Sequence, residues 1–245
     1  MCCRYFLLQD HLREILAAFG LPADAAPPSR YNIAPGTRIP AVRNRPRRLD
    51  APRGPAYELA TPDWGLVPSW SKSAAAASRL VNARAESLAA KPSFRDAFQT
   101  RRCLIPASGF YEWEVRGRSR RPWLFRRPAA RPFCLVGLWE TWSAPDGTAL
   151  ETCAVVTTAP NQLMAPIHHR MPAMLAEENL AVWLDPASPL SALAVLFRPP
   201  DDTTLIAQRI SSRVSNVRHD DPACLAPATD DEADNGPWLF PVDET

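Results

Sequence analysis

The sequence predicts an α+β protein in which helices flank an antiparallel sheet. Strand-like runs rich in β-branched and aromatic residues follow one another over 102–158, separated by short polar turns. Outside these runs, residues 9–19 and 190–197 have the apolar spacing of amphipathic helices, and Gly20 ends the first of them. At 245 residues the chain fits one large domain or two small ones, and it is long enough to bury a substantial core.

The composition excludes several classes of protein. Apolar residues make up 46% of the chain, yet no apolar run approaches the roughly 18 residues that span a bilayer. Gln9–His11 interrupts any apolar segment that could serve as a signal peptide, so we expect a cytoplasmic protein without membrane association.

The cysteines show no C-x-x-C spacing, which argues against a zinc ribbon or a redox motif. In the cytoplasm they should be reduced. Three of them lie in apolar strand-like runs and are predicted core residues: Cys103, Cys134 and Cys153.

Charge is distributed unevenly along the chain. Residues 1–170 hold 24 Lys/Arg against 13 Asp/Glu, a net +11, whereas residues 171–245 hold 4 against 13, a net −9. Of the basic residues only Lys72 and Lys91 are lysines, and arginine suits planar, bidentate contacts with phosphate. Charge alone leaves a nucleic-acid partner and a merely solvated surface equally open.

The middle of the chain contains several loop and turn signals. A strand is expected near Ile39–Val42, with an exposed polar hairpin end over Arg43–Arg53. Trp64 and Trp70 flank a Gly- and Pro-containing loop, where they serve either as core residues or as platforms for base stacking. Asn82–Ser87 is predicted to open a short helix with Asn82 as its N-cap.

The strand Gly109–Glu114 carries the first candidate for proton transfer. Alternation places Glu112 on one face of the strand and its aromatic neighbours Tyr111 and Trp113 on the other. A half-buried glutamate among aromatic rings should have a raised pKa, which suits a general acid or base. The alternative is a carboxylate held in a salt bridge. A basic turn, Arg116–Arg121, follows.

His168 and His169 are adjacent, in a short segment that ends at Pro172. Neighbouring side chains on an extended backbone point to opposite faces, so only one of the two histidines is expected to face a given site. A metal site is not predicted, because no other ligands cluster nearby, and no cofactor is expected.

Cys2 is a distinctive chemical group if Met1 is removed. It then carries a thiol beside a free α-amine, with reference pKa values of about 8.5 and about 8. Such a 1,2-aminothiol captures aldehydes: the amine forms a Schiff base, and the thiolate closes on it to give a thiazolidine ring. The alternative is that Cys2 and Cys3 are ordinary small residues at a frayed terminus.

Taken together, these motifs resemble the SOS-response-associated peptidase family, also called abasic-site processing proteins. The resemblance covers roughly residues 1–220 and rests on the order and spacing of Met1-Cys2, Arg4, Tyr31–Gly36, Trp64-Gly65, Pro68, Trp70, Asn82–Arg84, Ile105–Ala107, Gly109–Trp113, Thr157 and Ile167–Pro172. It implies a single α+β domain over 1–225 with an antiparallel β-barrel-like core covered by helices. Residues 226–245 would form an acidic, mobile tail.

The resemblance also implies an activity on single-stranded DNA, carried out by a monomer. Cys2 would attack the ring-opened aldehyde of an abasic site and form a thiazolidine DNA–protein crosslink that shields the lesion. Glu112 would transfer protons near the Cys2 amine, His168 would act at the sugar, and Asn82 would polarise the reacting groups. Flanking phosphates and the groove would be contacted by Arg4, Asn32, Pro35, Trp70, Arg84, Thr157 and Arg170.

Two other functions remain open. Cys2, His168 and Asn82 contain the ingredients of a thiol peptidase, at least one that removes its own first residue; lyase activity would accompany reversal of the crosslink. A non-catalytic single-strand binder would use the tryptophans and arginines alone. Cys3 stands where the family usually has glycine, and it lacks the adjacent amine needed for a thiazolidine.

Overall fold

The computed structural model describes residues 3–45, 56–117 and 119–229. The described strands are β1 Tyr5–Leu7, β2 Arg30–Ile33, β3 Ala41–Asn44, β4 Tyr57–Ala60, β5 Asp63–Trp64, β6 Asn82–Arg84, β7 Arg102–Ala107, β8 Gly109–Arg116, β9 Ser119–Arg126, β10 Phe133–Ser143, β11 Ala149–Thr158, β12 Met171–Pro172 and β13 Ile206–Arg209. The described helices are α1 Gln9–Ala18, α2 Pro92–Thr100, α3 Leu180–Leu184 and α4 Leu190–Ala194. Of the predicted tail, residues 230–245 lie outside the described residues.

Two sheets organise the fold. The five-stranded sheet has the order β13-β9-β8-β1-β2, and all its neighbours are antiparallel. The eight-stranded sheet runs β12-β11-β10-β7-β3-β4, with the short strands β5 and β6 pairing in parallel with β11. The predicted α+β class with a mainly antiparallel core is therefore confirmed. Among the described residues both sheets remain open, so the core is barrel-like only in a loose sense.

Helix α1 forms where the periodicity predicts it. Leu12, Ile15 and Leu16 are its buried face. Its first backbone amide, on Gln9, donates to Ser29 Oγ at 2.8 Å, so a hydroxyl distant in sequence replaces a local N-cap. The helix ends at Gly20, whose φ of +67° is a left-handed conformation that glycine adopts without strain.

The core lies between the two sheets and under the helices. Cys103 and Cys153 are completely buried and Cys134 nearly so, which confirms them as core residues. Burial raises the pKa of the Cys103 and Cys134 thiols to about 12, so both remain protonated and unreactive at neutral pH. None of the described helices has the length and apolar character needed to cross a membrane.

Arg43 was expected in an exposed hairpin end, and this prediction is wrong. Its guanidinium is buried in β3, bonded to Glu58 at 2.7 Å and Glu151 at 2.9 Å, and it lies 3.9 Å from the ring centroid of Trp139. These partners are far away in sequence, so the polarity of the local segment concealed a buried ion pair. The remainder of the predicted hairpin, 46–53, lies outside the described residues.

Candidate functional site

The site begins at the amino-terminal strand. β1 lies between β8 and β2, with Tyr5 opposite Phe110 on one side and Ile33 on the other. Because β1 and β8 are antiparallel, the chain before Tyr5 runs alongside the residues that follow Phe110, the next of which on the same face is Glu112. The Tyr111 amide donates to the Arg4 carbonyl at 3.0 Å, which continues the pairing towards Cys3.

Cys3 is the first described residue, and it lies between two predicted catalytic side chains. Asn82 Nδ2 donates to Cys3 Sγ at 3.5 Å. Burial raises the pKa of the Cys3 thiol, and the nearby charge of Glu112 raises it further. Cys2 lies outside the described residues.

Asn82 was predicted to cap a helix, and this is wrong. It opens strand β6, opposite Val155 of the parallel neighbour β11, and a 3₁₀ turn follows only at Ala85–Ser87. Its Oδ1 atom is buried and has no hydrogen-bond partner among the described residues. Asn82 therefore presents an acceptor beside the amino-terminal segment.

Glu112 is the buried carboxyl that the sequence predicts. Its residue is 6% exposed, and loss of solvation raises its pKa. A hydrogen bond from the Trp113 backbone and the charge of His169 work in the opposite direction without cancelling this effect. At the same pH the group is thus protonated to a greater extent than an exposed glutamate, as a proton donor requires.

His168 and His169 face the same side, contrary to the expectation for an extended backbone. Their rings stack with centroids 4.3 Å apart, because the segment before them forms turns in which the His168 amide bonds back to the Met164 carbonyl. Burial lowers the pKa of His168, and the charge of its neighbour lowers the pKa of the exposed His169. Of the two, only His168 is partly enclosed.

The His168 ring is held in place through Nδ1. This atom lies 3.0 Å from the backbone nitrogen of Arg170 and 3.1 Å from its carbonyl oxygen. A neutral Nδ1 accepts from the nitrogen, and a protonated Nδ1 donates to the oxygen. The ring therefore keeps one backbone partner in both protonation states.

Arg170 is anchored within the protein. Its guanidinium forms a bidentate pair with Glu86, at 2.7 and 2.9 Å, and also donates to the Thr157 carbonyl at 2.5 Å. The hydrogen bond from Arg170 is the largest cause of the lowered pKa of Glu86. The Arg170 Nε and Thr157 Oγ1 atoms are buried and lack partners among the described residues. The sequence did not identify Glu86 as a site residue. Its partner, Arg170, lies far along the chain, so no local pattern marks the pair.

Arg4 and Asn32 also have internal partners. Arg4 Nη1 donates to Asn32 Oδ1 at 2.7 Å, and its guanidinium lies 5.4 Å from the centroid of the Trp113 ring. Asn32 Nδ2 donates to three carbonyls of one loop, those of Val214, Asn216 and His219. Together they tie the amino-terminal strand to the loop at 214–219.

The other predicted contact residues differ in exposure. Arg84 is exposed at the end of β6, and its charge contributes to the lowered pKa of His169. Pro35 is half-buried. Of the tryptophans, Trp64 is a core residue that donates to the Val81 carbonyl at 2.9 Å, whereas Trp70 is 62% exposed. Of these two residues, Trp70 is the one available as a stacking platform.

The structure thus brings Asn82 and Glu112 to Cys3, the residue that follows Cys2, and the charge of His169 reaches Glu112. In the described part of the chain, no group of three or more His, Cys, Asp or Glu side chains is positioned to hold a metal ion. The amide of Asn82 and the buried carboxyl of Glu112 can support hydrogen bonding and proton transfer at the amino-terminal segment.

Comparisons with known proteins point to one family. The SOS response associated peptidase (SRAP) family model matches residues 1–217. The chain is 36% identical over 231 residues to the abasic site processing protein YoqW of Bacillus subtilis, covering 92% of this chain and 99% of that protein. It is 29% identical over 222 residues to the abasic site processing protein HMCES of Gallus gallus, covering 80% and 66%. An X-ray structure of a protein from Bacteroides thetaiotaomicron superimposes with a TM-score of 0.77 at 25% identity, covering 94% of this chain and 98% of that one.

Proposed function

The chain belongs to the SOS response associated peptidase (SRAP) family, and from this premise we propose that it processes abasic sites in single-stranded DNA. The names of its relatives support the choice of lesion. The observation that carries the proposal is the position of Cys3, which contacts Asn82 and lies within the electrostatic reach of Glu112. In this proposal Cys2, the residue before it, reacts beside these side chains.

The proposed reaction joins Cys2, freed of Met1, to C1′ of the ring-opened sugar. The α-amine adds to the aldehyde to give a carbinolamine, which loses one water to become an imine. The thiolate then adds to the imine carbon, and the imine nitrogen takes up a proton. C1′ ends bonded to both nitrogen and sulfur in a five-membered thiazolidine, and no oxidant or cofactor is needed.

Glu112 is proposed as the acid for the step that expels water. Leaving as water, rather than hydroxide, requires a proton on the carbinolamine oxygen, and a positioned donor accelerates such a step by about 10²–10⁴. Its raised pKa supports this role, because at a given pH it carries the proton more often than an exposed glutamate does.

His168 is proposed to act at the sugar, during ring opening and in reversal of the crosslink. Its lowered pKa keeps it neutral and able to accept a proton at pH 7. Asn82, through its buried Oδ1, would accept a hydrogen bond from the reacting amine or from a sugar hydroxyl.

Phosphate binding is proposed first for the exposed Arg84. For Arg170 and Thr157, whose Nε and Oγ1 atoms are buried, we propose a supporting role next to Arg84 in place of direct contacts with phosphate. Arg4, Asn32 and Pro35 would shape the groove beside β1, and Trp70 would stack on a base.

Intact mass of the purified protein, with and without single-stranded DNA bearing one abasic site, tests the proposal. We expect a protein lacking Met1 and a DNA adduct one water lighter than the sum of its parts. The adduct should disappear in Cys2→Ser and persist in the matched Cys3→Ser. An undiminished adduct in Cys2→Ser would contradict the proposal. Turnover of a fluorogenic peptide panel without any DNA adduct would favour a thiol peptidase instead.

A further inference from the structure

The turn between β8 and β9 is strongly basic, with four arginines among the six residues 116–121. Alternation places Arg116 on the same face of β8 as Glu112 and Glu114. Across the strand pair, Glu112 lies opposite Trp123 and Glu114 lies opposite Arg121. The face that carries the proposed catalytic acid therefore continues into arginines.

A third arginine reaches this face from the edge strand. Arg209 of β13 pairs with Trp123 of β9, and its guanidinium lies 5.9 Å from the centroid of the Trp123 ring. Trp123 Nε1 donates to Glu114 at 3.2 Å, and Arg116 Nε bonds the same carboxylate at 2.6 Å. Arg116, Arg121 and Arg209 thus come from three adjacent strands; we call them the hairpin arginine cluster.

The cluster lies at a distance from Glu112 that suits a nucleic-acid strand. At about 3.4 Å per residue, Glu114 is about 7 Å and Arg116 about 14 Å from Glu112 along β8. A DNA strand rises about 3.4 Å per nucleotide when stacked and more when extended, so this distance corresponds to roughly two to four nucleotides. All three arginines are half-exposed, and a guanidinium forms charge-assisted, bidentate hydrogen bonds with phosphate.

We propose that the hairpin arginine cluster binds the phosphates of the DNA strand two to four nucleotides from the lesion sugar, on one side only. This inference rests on the proposed function, because that function places the sugar at Glu112. It adds a second phosphate-binding surface to the one around Arg84.

The acidic end of the chain is an alternative occupant of the cluster. Residues 230–245 contain six acidic side chains and no basic one. They follow Thr229, and the amide of Ala228 donates to the Arg209 carbonyl at 3.3 Å. A test must therefore separate binding of DNA from binding of this segment.

The test uses fluorescence anisotropy with single-stranded oligonucleotides that carry one tetrahydrofuran abasic analogue, which lacks the aldehyde. Two series shorten the strand stepwise on the 5′ or the 3′ side of the analogue. For the double variant R121Q/R209Q we expect about threefold to tenfold weaker binding to the longest strand and a salt slope reduced by about 1 to 2. The loss should vanish when one side is cut to one nucleotide and persist when the other side is cut.

Three controls accompany this measurement. R121K/R209K keeps the charges and should retain most of the affinity. R95Q removes an exposed arginine of α2, paired with Asp96, and should change little. In a full-length chain with D230N, D231N, E232Q and D234N, the loss of DNA affinity caused by R121Q/R209Q should persist. If that loss disappears, the cluster binds the acidic segment and the inference is overturned.

Unchanged affinity in R121Q/R209Q, or an equal loss for every strand length, would also overturn it. The adduct measured by intact mass separates this outcome from failure of the proposed function. If the adduct forms but the loss of affinity in R121Q/R209Q does not depend on strand length, the cluster alone is rejected. Binding that depends on strand length, without any adduct on a natural abasic site, rejects the crosslinking function alone.

Discussion

Glu112 and Glu114 occupy the same face of the same strand and are equally buried, at 6% exposure, yet their surroundings differ. Towards the hairpin, Glu114 is bonded by Arg116 and by the Trp123 indole. Towards β1, Glu112 lies beside Cys3, and burial raises its pKa. Near the hairpin, the carboxylate of Glu114 links β8 to β9. Near β1, the carboxyl of Glu112 is in surroundings that disfavour its ionisation. Such a group costs stability and is suited to proton transfer.

The largest expected effect is a difference in the rate of adduct formation between variants of Glu112 and Glu114. Glu112→Gln removes the proposed acid and should slow formation of the adduct by about 10²–10⁴, with unchanged affinity for the tetrahydrofuran analogue. Glu114→Gln is the matched control and should change the rate by less than about threefold, since its carboxylate lies one side-chain repeat farther from Cys3. Quench-flow or gel-based capture rates measure both. Equal losses in rate and affinity for Glu112→Gln would indicate a structural role.

The pH dependence of capture tests the proposed role of His168. His168 must be neutral to accept a proton, and its pKa lies below the ordinary value. Below that pKa we expect the logarithm of the capture rate to fall more steeply with decreasing pH than protonation of the Cys2 amine alone would cause. His168→Gln should lose this extra steepness and be slower by roughly 10² at neutral pH. His169→Gln, the matched control, should keep it; the reverse result would assign the role to His169.

The next prediction concerns stability and has a defined sign. The pKa of Glu112 is higher in the folded protein than in the unfolded chain. Its contribution to the free energy of unfolding is therefore complete below its pKa in the unfolded chain, and it is lost as the pH rises through its pKa in the folded protein. Glu112→Gln should therefore be more stable than the parent at pH 8, by about 1–3 kcal/mol, with the difference vanishing near pH 4. Glu114→Gln should instead be less stable at pH 8. Urea unfolding at both pH values measures this, and a Glu112→Gln protein less stable at pH 8 would contradict it.

Glu86 should show the opposite pH dependence, with the smallest effect. Arg170 lowers the pKa of Glu86 in the folded protein. The contribution of Glu86 to the free energy of unfolding is therefore present above its pKa in the unfolded chain, and it is lost as the pH falls through its pKa in the folded protein. The Glu86 side chain is 56% exposed, so solvent screens the pair and Glu86→Gln should cost below about 1 kcal/mol at pH 7. Unfolding at pH 3 should no longer distinguish Glu86→Gln from the parent. A cost that remained at pH 3 would point to packing rather than charge.

Local patterns predicted the elements that depend on local physics. The spacing of Leu12, Ile15 and Leu16 gave α1, and alternation gave the buried face of β8 with Glu112 on it. The raised pKa of Glu112 followed from its aromatic neighbours, because burial is encoded by the strand itself.

What the sequence could not reveal depends on partners distant along the chain. Asn82 looked like a cap because its parallel neighbour, β11, begins more than 60 residues later. The stacked histidines depend on a turn that bonds back to Met164, and Arg43 is buried by Glu151 and Trp139. Whether the predicted site residues act on DNA as the family resemblance implies stays a prediction.

The central position of β1 has a practical consequence for making the protein. Only Cys3 and Arg4 separate residue 2 from a strand that is hydrogen-bonded on both sides. A fusion partner or affinity handle placed ahead of residue 2 would join the chain next to Cys3, the residue that Asn82 contacts. Recombinant material should therefore carry its purification handle at the opposite terminus.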